Sequence, residues 1–106
     1  DLIKLIDNNL PLALATDFNP GSAPCGNMGF AISLACIKLK LTPEEAINAA
    51  TINGAHAMGL SKTHGSITVG KKANFILTNS INELSELPYY LFENQIDKVF
   101  LNGKIC

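Results

Sequence analysis

The segment that most restricts the fold is Leu10-Pro11-Leu12-Ala13-Leu14-Ala15-Thr16, an uncharged small-and-apolar run bounded by Asn8-Asn9 and Asp17. Such a run reads as a strand covered on both faces, the habit of parallel sheets in α/β proteins. It opens into Asp17-Phe-Asn-Pro-Gly-Ser-Ala-Pro24, where the turn formers Asn, Pro and Gly cluster. A strand that runs into a polar loop puts that loop at the carboxyl end of a sheet, where α/β folds and (β/α)8 barrels collect their chemistry.

The flanking elements follow from local signals. Apolar residues at 2, 3, 5 and 6 predict a short amphipathic helix before the run. Asn27 to Leu41 is apolar nearly all round and predicts a buried helix. Thr42-Pro43-Glu44-Glu45 is a capping box with Pro at the first helical position. The helix it opens carries Ile47, Ala50, Gly54 and Met58 on one face, and Gly59 stops it. Beyond that glycine the pattern turns to short β-type runs at His64–Gly70 and Lys72–Thr78, then a helical or irregular stretch at Glu83–Asn94. Ile96–Leu101, the Asn102-Gly103 turn signal and Lys104–Cys106 predict a β-hairpin. Residues 1–60 therefore read as strand, loop and helices, and residues 61–106 as part of a small β structure.

Composition narrows the function classes. At 106 residues the chain fits one small domain, and 47% hydrophobic residues exclude intrinsic disorder. Its 16% charged residues fall short of the roughly 25–35% expected on a free-standing surface, so some apolar surface expects a cover. Net charge is −1, with 8 Lys against 9 acidic residues, which argues against nucleic acid or an anionic membrane as partner. No apolar run approaches the roughly 18 residues of a membrane span. Cys25, Cys36 and Cys106 form neither a disulfide framework nor a zinc ribbon, and they read as reduced, mostly buried thiols of a cytoplasmic protein. The start at Asp1, without Met and inside a predicted helix, reads as a fragment boundary.

Among residues that could carry chemistry, Asp17 stands first: a carboxylate where strand gives way to loop can bind a metal or act as general base. Asn19, Gly21 and Ser22 offer an amide, a bare backbone N–H and a hydroxyl for orienting a polar ligand. The spacing is also good turn chemistry, and by spacing alone the shaping of a turn is preferred to the functional reading. His56 and His64 lack a second histidine at ligand spacing and read as structural or surface residues. The cysteines have no activating base nearby in sequence, and Lys71-Lys72 reads as a solvated turn.

Taken together, the motifs resemble the imidazolonepropionase family of the metal-dependent amidohydrolase superfamily. The resemblance rests above all on Ala13-Leu-Ala-Thr-Asp-Phe-Asn-Pro-Gly-Ser22. It continues through Ser33–Cys36, Leu41-Thr-Pro-Glu-Glu-Ala46, Asn48–Asn53, Gly65-Ser-Ile-Thr-Val-Gly-Lys-Lys-Ala-Asn-Phe75 and Val99–Lys104, covering essentially the whole chain. It implies the last strand and helices of a (β/α)8 barrel followed by the C-terminal part of a small β-sandwich. It also implies a hydrolase of histidine degradation that opens the cyclic amide C–N bond of 4-imidazolone-5-propanoate to give N-formimidoyl-L-glutamate. Asp17 then matches the family aspartate that ligates one zinc or iron ion and helps activate the attacking water, and Asn19, Gly21 and Ser22 match substrate-holding positions. A divalent metal lowers the pKa of bound water from about 15.7 to about 7, which suits this role.

Two departures stand out. Asn74 occupies a position where the superfamily usually has Asp, which touches only a local turn or packing contact, and residues 23–29 are less typical. The family's histidine ligands, including an HxH pair, have no counterpart in this chain, so Asp17 alone cannot build a four-coordinate site. The expectation is a C-terminal fragment that is inactive alone and prone to self-association, from a full-length enzyme that is homodimeric. Another amidohydrolase-superfamily deaminase, or a non-catalytic interaction module, are the competing readings.

Overall fold

The computed structural model describes residues 2–17, 19, 21, 27–89 and 95–106. Helix α1 spans Leu2–Asp7. It ends in a Schellman arrangement: Asn9 takes φ of 59° while Asn9 N–H donates to Ile6 C=O and Leu10 N–H to Leu5 C=O. Helix α2, Met28–Ile37, starts at Asn27, whose side-chain oxygen accepts from Phe30 N–H. The predicted capping box is present at Thr42, with Glu45 Oε1 accepting from Thr42 N–H at 2.8 Å and Thr42 Oγ1 from Glu45 N–H at 3.2 Å.

That box opens two helices rather than one, α3 at Pro43–Ala50 and α4 at Ile52–Ala57. The break falls on Thr51, whose hydroxyl donates back to Ile47 C=O at 2.7 Å and whose backbone leaves helical angles. Side-chain competition for a helical carbonyl is the physical cause. The buried face is shifted from the expected one: Ile47 and Ala50 pack half-buried against the core, Ala46 and Ala49 are fully buried, and Met58 is 70% exposed. Alanines let α3 approach α2 closely, and the core forms from Ile32, Ala35, Leu41 and Ala46, with Ile6, Leu14, Met28 and Ile47 packed against it. Helix α2 is shorter than the apolar run and buried on one side only. Phe30, Leu34 and Ile37 are exposed, since α3 and a later helix cover just the Ile32, Ser33 and Ala35 face.

The Leu10–Thr16 run is in no sheet among the described residues, contrary to the predicted doubly covered strand. A strand needs a ladder partner, and among the described residues helices rather than a strand lie beside it. From Pro11 to Asp17 exposure alternates strictly, with Leu12, Leu14 and Thr16 half-buried and Pro11, Ala13, Ala15 and Asp17 exposed, the period of extended chain. The expected β run at His64–Gly70 is also absent: these residues turn, with Gly65 and Gly70 at positive φ. Lys71 Nζ donates to Ser66 Oγ at 2.8 Å and to His64 C=O at 3.3 Å, so Lys71 clasps this turn instead of extending into solvent.

The closing region is a three-stranded antiparallel sheet, β1 (Phe75–Thr78), β2 (Ile96–Leu101) and β3 (Lys104–Ile105), in that order. Phe75 pairs with Phe100 and their rings stack at 4.6 Å. Asn102 and Gly103, at φ of 52° and 78°, form the predicted hairpin turn. Asn74 Oδ1 accepts from Asn102 N–H at 2.9 Å, so the departure noted in the sequence is a turn contact. Between β1 and β2, helix α5 (Glu86–Tyr89) docks on α2 through the buried Ser33 hydroxyl, which donates to Pro88 C=O at 2.9 Å.

Candidate active site

Asp17 stands where the extended run ends. Its φ of 49° turns the chain out of extension, a conformation that Asp tolerates better than most residues. The side chain is exposed and forms no hydrogen bond or ion pair among the described residues. Asn19 then folds the loop back on itself: its Nδ2 donates to Asp17 C=O at 2.8 Å and its Oδ1 accepts from Gly21 N–H at 3.0 Å. The Asn19 amide thus shapes the turn, and a Cβ at Gly21 would come within 3.3 Å of the same Oδ1. Asp17, Asn19 and Gly21 are brought together. Ser22, with Cys25, lies outside the described residues.

Two groups that anchor this loop were not singled out from sequence. Asn53 on α4 donates from Nδ2 to Leu12 C=O at 2.8 Å, and Ala49 C=O at the end of α3 accepts from Leu14 N–H at 2.9 Å. Together they fix the extended run against the helix pair and so set where Asp17 projects. The signal was Asn53 itself, a poor helix former whose side chain favours partners outside the helix. His56 lines a cleft of about 530 Å³ with Pro11, Ala13, Asn53 and Ser61, while His64 Nδ1 pairs with Thr63 Oγ1 at 2.7 Å.

The expected thiols diverge. Cys36 is half-buried, and burial followed by the nearby Glu44 carboxylate pushes its pKa up, whereas Cys106 is exposed rather than buried. No group of three or more His, Cys, Asp or Glu side chains that could hold a metal ion occurs among the described residues. Asp17 therefore offers one ligand without companions, and these residues do not by themselves fit a metal centre.

A family model described as "Amidohydrolase family" matches residues 1–106. The chain belongs to the amidohydrolase family. An imidazolonepropionase of Christiangramia forsetii is 66% identical over 102 residues, 96% of this amidohydrolase chain and 25% of that protein. One from Geobacillus thermodenitrificans is 47% identical over 105 residues, 99% of this chain and 24% of that protein. The chain thus spans about a quarter of the length of the curated relatives it matches. Among solved structures, E. coli guanine deaminase superposes with a TM-score of 0.79 at 22% identity, covering 99% of this chain and 29% of that one. An amidohydrolase from Thermotoga maritima gives a TM-score of 0.73 at 21% identity, covering 98% and 24%. These likenesses show a shared fold, with α/β content and a small sheet. No helix among the described residues is long and apolar enough to cross a membrane.

Proposed function

We propose that this chain supplies the Asp17 loop of an imidazolonepropionase, a cytoplasmic enzyme that hydrolyses 4-imidazolone-5-propanoate to N-formimidoyl-L-glutamate. In this reading residues 1–60 belong to a (β/α)8 barrel and residues 61–106 to a composite β-sandwich. The observation that carries it is the Asp17 carboxylate, exposed and without a side-chain partner among the described residues, at the end of an anchored extended run and beside a loop stapled by Asn19. Identity of 42–66% to relatives named imidazolonepropionase over nearly the whole chain supports the substrate.

Each residue then has a chemical task. An exposed carboxylate takes a proton from the attacking water, and its position at the loop hinge fixes the direction of approach. Gly21 leaves room for a substrate to approach the backbone, and Asn19 and Ser22 orient its polar groups. One zinc or iron ion, held jointly by Asp17 and ligands from elsewhere in a full-length, homodimeric enzyme, would supply Lewis acidity and stabilise developing negative charge.

The test is a chimera in which this sequence replaces the matching quarter of the Christiangramia forsetii relative. It should hydrolyse 4-imidazolone-5-propanoate, and Asp17→Ala should lower kcat by at least about 100-fold with the melting temperature retained. A fully active Asp17→Ala chimera would remove the catalytic assignment, and a chimera that deaminates guanine instead would remove the substrate assignment.

A further inference from the structure

The extended run is gripped at two points on one edge. Leu12 C=O accepts from Asn53 Nδ2 at 2.8 Å, and Leu14 N–H donates to Ala49 C=O at 2.9 Å. Alternate residues of extended chain turn their backbone groups the same way, so one helical wall meets both. The break at Thr51 makes both partners available. Ala49 C=O belongs to the last turn of α3, whose carbonyls lack a partner within their own helix, and Asn53 stands in the first turn of α4. The two points are unequal. Leu14 is held twice, by its N–H and by a side chain packed against the core. Leu12 C=O is held by a side chain instead, and that side chain can be changed without touching the backbone.

We infer that Asn53 is a positioning residue for the Asp17 carboxylate, acting through Leu12. The inference rests on the proposed function, in which Asp17 takes a proton from the attacking water. Exposure alternates without interruption from Pro11 to Asp17, so the run is one extended segment that moves as a rod. The packed Leu14 is its fulcrum. Leu12 lies roughly 6.6 Å before that point and Asp17 roughly 10 Å after it, at about 3.3 Å per residue. A sideways shift of about 1 Å at Leu12 therefore swings the Asp17 end by about 1.5 Å. Misplacement of a reacting group by about 1 Å costs on the order of 100-fold in rate. Asn53 bonds the end of the rod away from Asp17, so its loss leaves the carboxylate in the chain and changes where it points.

Steady-state kinetics on the chimera with the Christiangramia forsetii relative test this. Asn53→Asp keeps the shape of the side chain and removes its N–H, and should lower kcat roughly 10- to 100-fold while KM holds. Asn53→Gln retains an amide N–H and should recover part of that loss. Asn53→Ser repeats the comparison without an added charge, should the Asp variant not fold. Thr42→Ala removes a cap at the far end of α3, and should lower the melting temperature without lowering kcat. Unchanged kcat in Asn53→Asp or Asn53→Ser would overturn the inference. So would losses of kcat that follow the melting temperature alike in the Asn53 and Thr42 variants, since these mark a purely structural role. Asp17→Ala separates the two claims. Activity lost there but kept in the Asn53 variants removes the positioning role alone, whereas an active Asp17→Ala chimera removes the reading beneath it.

Discussion

The helical region at residues 2–60 and the sheet region at residues 72–106 solve opposite halves of the folding problem. Fully buried apolar residues concentrate in the first, at Ile32, Ala35, Leu41, Ala46, Ala49 and Ala55, yet its one extended run has no ladder partner among the described residues. The second completes a ladder of three strands, yet none of their described side chains is fully buried, and Val99, Leu101 and Ile105 are exposed. Backbone hydrogen bonding and apolar burial are thus separable achievements. A hairpin needs only its own neighbour in sequence, whereas a run like Leu10–Thr16 needs strands from farther away.

If the core resides in the helices, Ile32→Ala should be the most damaging change, costing about 2–5 kcal/mol by urea denaturation. A cost below about 1 kcal/mol would mean the α2–α3 packing stabilises little. The junction between the regions comes next. A Cβ at Gly65, at φ of 97°, would sit 2.7 Å from Ala55 Cβ and 3.0 Å from Ile52 Cα, so Gly65→Ala should cost about 1–3 kcal/mol. Gly103→Ala meets nothing nearer than 3.8 Å and carries only the positive-φ penalty of about 1 kcal/mol. Equal thermal shifts for the two glycines would dissolve the distinction between a docked turn and a free hairpin. Thr42→Ala should cost about 1 kcal/mol, read as a lower urea midpoint at unchanged slope.

The smallest effect is chemical. A raised Cys36 pKa keeps the thiol protonated, so iodoacetamide at neutral pH should label Cys106 ahead of Cys36, as peptide mass spectrometry would report. The same shift contributes stability that is present below the unfolded thiol pKa and fades as pH rises through it, above about pH 8.5. Faster labelling of Cys36 would place it outside the helical core.

Legibility in the sequence followed the range of the interaction. The capping box at Thr42, the Asn102-Gly103 hairpin and the Asp17–Gly21 turn are each set within a few residues, and they stand as read. The packed face of the helix pair was legible in part: Ile47 and Ala50 pack against the core, but close helix packing buries the smaller Ala46 and Ala49 fully, and Met58, at the end of α4, is exposed. His64–Gly70 alternates like a strand, but Ile67 and Val69 are exposed and a Lys71 clasp holds the turn. Asp17 was legible as a candidate from its place at the end of the run. Its anchors at Ala49 and Asn53 were not, because nothing local ties residue 12 to residue 53.

We propose that this chain carries one chemical half of a site, the Asp17 carboxylate, which needs metal ligands from elsewhere. It is tested most directly by equilibrating the 106-residue chain with zinc, removing excess metal, and measuring bound zinc per chain together with hydrolysis of 4-imidazolone-5-propanoate. Zinc well below one equivalent and no turnover are expected. One zinc per chain with measurable turnover would contradict the account.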